Sequence, residues 1–122
     1  MNIELRSIIG RGELKNERIT FRAKSAADIG DYVLLQTGSH DGEVTTEVEN
    51  AFWFPYQKVE KGDIIVLYTR RGASPPRKLS TGKSAYFFYF EREHTIWDED
   101  SASAVLLHAP RWQGQSAREL TK

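Results

Sequence analysis

The hydrophobic pattern of the chain alternates between apolar and polar residues over short stretches, as it does in β-strands. The clearest alternation covers residues 17–24, in which every second residue from Ile19 to Ala23 is apolar and the residues between them are polar. This period of two is typical of a strand with one face in the core and one face in water. Similar patterns predict strands at residues 2–9 and 44–49, the second an edge strand protected by its acidic side chains.

Three other runs are apolar on both faces. Residues 85–90 (AYFFYF) contain five consecutive aromatic residues, residues 64–68 (IIVLY) are apolar throughout, and residues 31–36 are similar. A strand with two apolar faces lies between packed layers or has a partner against its second face. We therefore expect residues 85–90 to form the central strand of the domain. Residues 64–68 are predicted to lie beside it, joined to it as in a long hairpin.

Shorter signals complete the predicted fold. Residues 51–56 belong to a strand end or an edge, because Pro55 cannot donate to a sheet ladder. Residues 96–97 and 104–108 predict two further short strands. With turn residues between these runs, the pattern favours an all-β sandwich or barrel of about eight or nine short strands, with little or no helix. We prefer a β-sandwich.

Composition limits the classes of protein that fit this pattern. The chain has 122 residues, 17 basic and 17 acidic side chains and no cysteine. This length is typical of one domain, placed at residues 1–112, with a polar tail at residues 113–122. The absence of cysteine excludes disulfides and cysteine-based metal sites. No apolar run approaches the ~20 residues that span a bilayer. We expect a soluble cytoplasmic protein without a signal peptide, cofactor or metal.

Three segments resemble the lamin tail domain family. Residues 17–21 (ERITF) followed by residues 28–34 (DIGDYVL) are similar to the family's strand and corner, although the corner reads IGDY instead of LSGW. Residues 59–68 (VEKGDIIVLY) resemble its glycine turn and strand, and residues 96–107 resemble its tryptophan-containing turn and strand. The order and spacing agree over about residues 17–107. The resemblance implies an immunoglobulin-like β-sandwich that serves as an interaction module, and it transfers no catalytic residue.

The interval from Tyr68 to Phe90 contains no acidic residue. Its basic loop, residues 70–83, carries five cations: Arg70, Arg71, Arg77, Lys78 and Lys83. Several Arg and Lys side chains on a loop stiffened by two prolines can grip phosphates, so nucleic-acid binding is one hypothesis. A solvated loop whose charge keeps the flanking aromatic strands soluble is the alternative, and a short polyproline ligand at residues 74–77 is a third.

A second aromatic cluster offers anchors for a protein partner. Within residues 51–56, we expect Phe52 and Phe54 to belong to the core, while Trp53 and Tyr56 are candidate hot spots if they are exposed. Such a surface, together with the edge strand at residues 44–49, would suit strand addition or aromatic anchoring. The partner is another protein or a second copy of the chain.

The remaining polar residues give weaker chemical signals. Glu91 and Glu93 share a parity on a strand and would suit an acid/base pair in a cleft, or else strand-end charges that face water. The acidic turn at residues 98–100 lacks the glycine of a calcium loop and reads as solvated. The three histidines lie on different predicted elements and form no metal-binding pattern: His40, His94 and His108. The sequence therefore predicts a non-catalytic interaction module, with nucleic-acid binding as the first alternative and a small hydrolase as the second.

Overall fold

The computed structural model describes all residues, 1–122, and contains ten strands, one 3-10 turn and one short helix. The strands are β1 Ile3–Ile9, β2 Arg18–Ala23, β3 Ala27–Asp28, β4 Tyr32–His40, β5 Glu43–Trp53, β6 Lys58–Val59, β7 Ile64–Tyr68, β8 Arg77–Lys78, β9 Ser84–Tyr89 and β10 Ser103–His108. The 3-10 turn spans Ile29–Asp31 and helix α1 spans Ala117–Leu120. The all-β prediction is confirmed, and the strand count exceeds the expected one because three strands have only two residues. No helix has the length and apolar character that crossing a membrane requires.

Two sheets pack face to face to form the core. The five-stranded sheet has the order β1-β2-β7-β9-β8, the three-stranded sheet has the order β10-β4-β5, and β3 pairs with β6 apart from both. Phe54 follows β5 and meets Phe21 and Phe88 of the opposite sheet edge-on, at ring-centroid distances of 5.5 and 5.2 Å. Such edge-to-face aromatic pairs contribute beyond the apolar area they bury. The sandwich is therefore joined by aromatic contacts near β9.

Several predicted elements are confirmed. In β2, Ile19, Phe21 and Ala23 are buried and the intervening side chains reach the surface, as the alternation requires. Strand β7 has the predicted bounds. The run at residues 44–49 and the first half of the run at residues 51–56 form one strand, β5, which lies at a sheet edge and ends at Trp53, before Pro55.

The predictions that residues 85–90 form the central strand and that a hairpin joins them to residues 64–68 are wrong. Strand β7 occupies the middle of the five-stranded sheet, and β9 lies next to its edge. The two strands are neighbours, as expected, but they pair in parallel. A parallel pair needs a crossover, which the basic loop supplies before β8 pairs with the start of β9. The second apolar face of β9 is covered by this loop instead of a second layer.

The predicted strand at residues 96–97 is also wrong. These residues form no ladder, although Trp97 is buried. The backbone N–H groups of Ile96 and Trp97 instead donate to the carboxylate of Glu17, at 3.0 and 3.4 Å. A side chain thus replaces the neighbouring strand as the hydrogen-bond partner of this segment.

Candidate binding surfaces

The parallel pairing of β7 and β9 places three aromatic side chains on the outer face of the five-stranded sheet. Tyr68 is in register with Tyr89, and Val66 is in register with Phe87. The residue between the two on β7, Leu67, is buried in the core. Because side chains alternate across a strand, residues in register on neighbouring strands share a face. Tyr68, Phe87 and Tyr89 therefore form one aromatic platform.

A guanidinium group covers the two tyrosine rings of this platform. The rings of Tyr68 and Tyr89 lie 5.3 Å apart and 8° from parallel. The Cζ atom of Arg70 is 4.6 Å from the first ring centroid and 5.4 Å from the second. Arg70 donates Nε to the carbonyl of Lys15 at 3.1 Å and Nη1 to that of Arg71 at 2.8 Å. Cation–π attraction and these bonds fix the guanidinium plane in place.

The loop reaches the platform through a glycine and a hydroxyl contact. A Cβ atom on Gly72 would lie 2.5 Å from Cε2 of Tyr89 and 2.6 Å from Nη1 of Arg70. Only glycine allows this approach without displacing one of those side chains. Two residues later, the hydroxyls of Ser74 and Tyr89 form a hydrogen bond of 2.7 Å. The loop is therefore tied to the aromatic strand near Pro75.

Together these side chains enclose an open groove of about 370 Å³. This arginine groove is lined by Tyr68, Arg70, Ser74, Pro75, Pro76, Arg77, Phe87 and Tyr89. The guanidinium of Arg77 lies 5.6 Å from the ring of Phe87, and that of Arg18 lies 5.7 Å from the ring of Tyr68. Every charged side chain at the groove is a cation. The arrangement can hold an anionic group next to a planar ring.

The structure places the five cations of the predicted basic loop at three separate locations. Arg70 and Arg77 line the arginine groove. Arg71 belongs to a neighbouring groove, and Lys78 and Lys83 lie at the hairpin of β8 and β9. The loop therefore does not present one continuous basic arm. Its candidate site combines two of the predicted cations with aromatic residues that the sequence assigned to the core.

A second cluster of aromatic side chains lies at and just after the end of β5 and in the segment that follows β10. Trp53, Tyr56 and Trp112 form this tryptophan surface, with exposed fractions of 48%, 62% and 57%. The rings of Trp53 and Trp112 meet edge-on, with centroids 5.0 Å apart. Trp53 also donates Nε1 to the carbonyl of Gly30 at 2.8 Å. The predicted anchors are therefore exposed, and Trp112 adds a third that the sequence did not predict.

Gly30 packs closely against Tyr56 of the tryptophan surface. A Cβ atom at this position would lie 2.4 Å from Cδ1 and 2.7 Å from Cα of Tyr56. Asp28 fixes the same corner, because its Oδ1 accepts from the backbone N–H groups of Gly30 and Gln57, each at 2.8 Å. The 3-10 turn and the residues after β5 are thus held close together. This closeness places Tyr56 against Gly30, whose carbonyl accepts the hydrogen bond from Trp53.

Glu91 and Glu93 line a different groove, of about 420 Å³. Both carboxylates are exposed, and Glu93 is 3.8 Å from Arg71. Glu91 has a φ of 60°, in the left-handed region that non-glycine residues rarely occupy. A general acid/base pair requires a carboxylate whose environment perturbs it, usually by burial. The exposure of both side chains gives the hydrolase hypothesis no support.

One buried polar residue has a structural part that the sequence reading did not assign. Glu17 is fully buried, and its carboxylate accepts from Thr69 Oγ1 at 2.6 Å and from the backbone N–H of Gly12 at 3.0 Å, as well as from residues 96–97. The signal was present in the sequence, because Glu17 shares the parity of Ile19 and the other core-facing residues of β2. A charged residue on a buried parity predicts a hydrogen-bonded centre.

The acidic turn has its own partners in the structure. Asp100 forms an ion pair with Arg11, and Asp98 accepts a hydrogen bond from Thr95 at 3.0 Å. No group of three or more His, Asp or Glu side chains is arranged to hold a metal ion. Of the three histidines, His108 stacks on Tyr32 with ring centroids 4.7 Å apart.

Comparison of the chain with protein-family models found no match, and comparison with curated proteins also found none. The two surfaces are therefore interpreted from their own chemistry.

Proposed function

We propose that this chain is an interaction module of the lamin-tail-like, immunoglobulin-like type, and that it binds an extended segment of a protein partner along β5. The observation that supports this most directly is the position of the tryptophan surface at the end of an unpaired strand edge. Strand β5 has 11 residues and lies at the edge of its sheet. The free N–H and C=O groups of such an edge can pair with another chain. Exposed Trp and Tyr side chains then supply anchors of high affinity.

The charge of β5 indicates what the partner segment contains. No cation occurs between residues 41 and 57. The strand has three exposed glutamates, which are Glu43, Glu47 and Glu49. Like charges directly opposite each other destabilise a strand pair. Pairing of β5 with the β5 of a second copy is therefore disfavoured. A partner segment with Lys or Arg at alternate positions and an apolar residue near Trp53 fits the edge.

A peptide-library selection tests this proposal. The library is panned on the native protein and on a double variant, Trp53→Ala with Tyr56→Ala. We expect the selection to enrich basic, extended peptides with apolar anchors. Loss of the two rings should lower the affinity for these peptides by about thirtyfold, the scale of a binding hot spot. The matched control is Leu107→Ala, because Leu107 is also an exposed apolar residue but lies on β10, at the other edge of the same sheet.

Three results would contradict the proposal. The first is that no sequence is enriched. The second is that acidic peptides are enriched as strongly as basic ones. The third is that Leu107→Ala weakens the selected peptides as much as the double variant does. Sedimentation of the native protein at several concentrations distinguishes binding of a partner segment from self-association, in which a second copy would occupy this surface.

A further inference from the structure

The arginine groove carries chemistry that the protein-binding proposal does not use. It lies on the five-stranded sheet, whereas β5 belongs to the other sheet. Its charged side chains are all arginines, and Arg77 is exposed and takes part in none of the ion pairs of the molecule. A free guanidinium has a planar fork of donors that matches the oxygens of a phosphate. The groove therefore favours an anion with several oxygens.

The rings of the groove favour a ligand that is planar as well as anionic. A carboxylate-bearing peptide would pair with the arginines and leave the aromatic platform without a specific partner. Nucleobases stack on aromatic side chains and on arginine planes, and both types of surface are present here. The volume of about 370 Å³ lies in the range of small-ligand sites, so it fits one nucleotide.

The cations also extend beyond the groove in a line across the sheet. Arg18 on β2 lies beside Tyr68, and Arg77 on β8 lies beside Phe87. Because the sheet order is β2-β7-β9-β8, the backbones of these two arginines are separated by three strand spacings, about 14 Å. They are also offset by four residues along the strands, about 13 Å, because Arg18 is level with Tyr89 and Arg77 is level with Ala85. The two arginines therefore suit phosphates that lie more than one nucleotide apart on the same strand. A duplex would keep its base faces covered, so the platform suits a single strand.

We infer that the arginine groove is a binding site for single-stranded nucleic acid, which stacks a base on the platform and places two phosphates, more than one nucleotide apart on the same strand, on Arg77 and Arg18. Arg70 is already held by two backbone carbonyls, so it serves as part of the stacking surface. The zero formal net charge of the chain gives little long-range attraction. Binding therefore depends on this local arrangement and is confined to a short stretch of the strand.

Fluorescence anisotropy of labelled oligonucleotides tests the inference. The probes are a short oligodeoxyuridylate, the matching oligouridylate and a duplex of the same length, each titrated at several salt concentrations. We expect both single strands to bind and the duplex to bind at least tenfold more weakly, since stacking supplies much of the affinity. The difference between the two single strands shows whether the 2′-hydroxyl contributes to recognition.

Two variants separate stacking from phosphate contact. Arg77→Ala should lower the slope of log affinity against log salt by about 0.7, the value for one phosphate contact with a single strand. Phe87→Leu keeps an apolar side chain in place but removes the ring, so it should weaken binding about tenfold without changing the slope. Arg71→Ala is the matched control, because it removes the same charge from an adjacent groove that also holds Glu93.

Any of four results would overturn the inference. These are no binding of single strands at low salt, equal affinity for the duplex, an effect of Arg71→Ala as large as that of Arg77→Ala, and complete displacement of the oligonucleotide by polyglutamate at equal charge. The last two would show attraction between charges without a defined site. Circular dichroism of each variant confirms that it is folded before its affinity is compared.

Discussion

The tryptophan surface and the arginine groove are both aromatic, but they differ in how their rings are held. Trp53, Tyr56 and Trp112 are about half exposed or more. The two tryptophan rings contact each other, and both Trp53 and Tyr56 lie against Gly30. The rings of the groove are partly buried and lie under cations and a loop. Exposed rings suit a partner that covers them completely, whereas a covered platform suits a thin, planar ligand.

The charges near the two surfaces differ as well. Strand β5, which leads to the tryptophan surface, is acidic, and the crossover that forms the groove has no acid at all. The opposite charges cancel in the whole chain, so the net charge of zero conceals two regions of opposite preference. Local composition, rather than the overall balance, therefore indicates which type of partner each surface binds.

The largest expected effect comes from Glu17, which supports the groove and not the tryptophan surface. Replacement with alanine leaves the hydroxyl of Thr69 and three backbone N–H groups without an acceptor. We expect a loss of about 3 kcal/mol or more in the free energy of unfolding, because unpaired buried donors are costly. Urea denaturation measures this loss. Glu17→Gln keeps one carbonyl oxygen and should cost less; equal losses for both variants would contradict the assignment.

Much of the fold follows from the sequence, and the exceptions have a physical cause. Alternation located β2, because this strand has a clear buried face, and an unbroken apolar run located β7. The same kind of run misplaced the aromatic strand β9, because a second apolar face looks the same whether a sheet or a loop covers it. The parallel pairing depends on where the chain goes after Tyr68, and the local pattern contains no information about that path. Strand β8 has only two residues, too few to show any period.

The candidate sites could be predicted only in part, because the local pattern does not contain the path of the chain. The sequence identified Trp53 and Tyr56, and the structure places both at the surface. It grouped five cations by their nearness in the chain, whereas the fold separates Arg71 from Arg70, its neighbour in sequence. The aromatic half of the groove lies in strands that were assigned to the core. Trp112 was missed because a single aromatic residue just before the polar tail has no periodic pattern to mark it.

Two glycine substitutions of intermediate effect should separate the surfaces. Gly30→Ala places a methyl group against the backbone of Tyr56, and Gly72→Ala places one against Tyr89 and Arg70. We expect each to lower stability by about 1–3 kcal/mol, as overpacking does, with the larger loss at Gly30 because backbone is hit. Gly30→Ala should weaken the binding of peptides selected on β5, and Gly72→Ala should weaken the binding of oligonucleotides.

The control for this pair is Gly38→Ala, whose new Cβ would meet only Thr45 Oγ1, at an ordinary 3.5 Å. This variant should leave the binding of peptides and the binding of oligonucleotides unchanged. If Gly30→Ala and Gly72→Ala each impaired both ligands equally, the two surfaces would have to be a single coupled unit. Titrating each variant with both ligands distinguishes these outcomes.

A smaller effect is expected at Trp112, just before the tail. Trp112→Ala removes an edge-to-face contact with Trp53, so stability should fall by less than about 1 kcal/mol for so exposed a pair. Trp53 should become more accessible to acrylamide, which fluorescence quenching measures. Leu120→Ala is the control, since Leu120 is an exposed apolar residue farther along the same tail. Unchanged quenching of Trp53 itself in Trp112→Ala would mean that Trp112 does not cover Trp53 in solution.

The smallest effect tests how firmly the loop is tied to the groove. Tyr89→Phe keeps the ring under Arg70 but removes the hydroxyl that bonds Ser74 at 2.7 Å. A hydrogen bond at an exposed site contributes about 0.5 kcal/mol, so the global free energy of unfolding should barely change. Amide exchange should instead rise locally around Ser74 and Arg77, while oligonucleotide affinity falls at most about twofold because stacking is retained. Ser74→Ala removes the same bond from the other side and should match it. If Tyr89→Phe abolished oligonucleotide binding, the hydroxyl would be a direct ligand contact and the platform would act by hydrogen bonding instead of stacking.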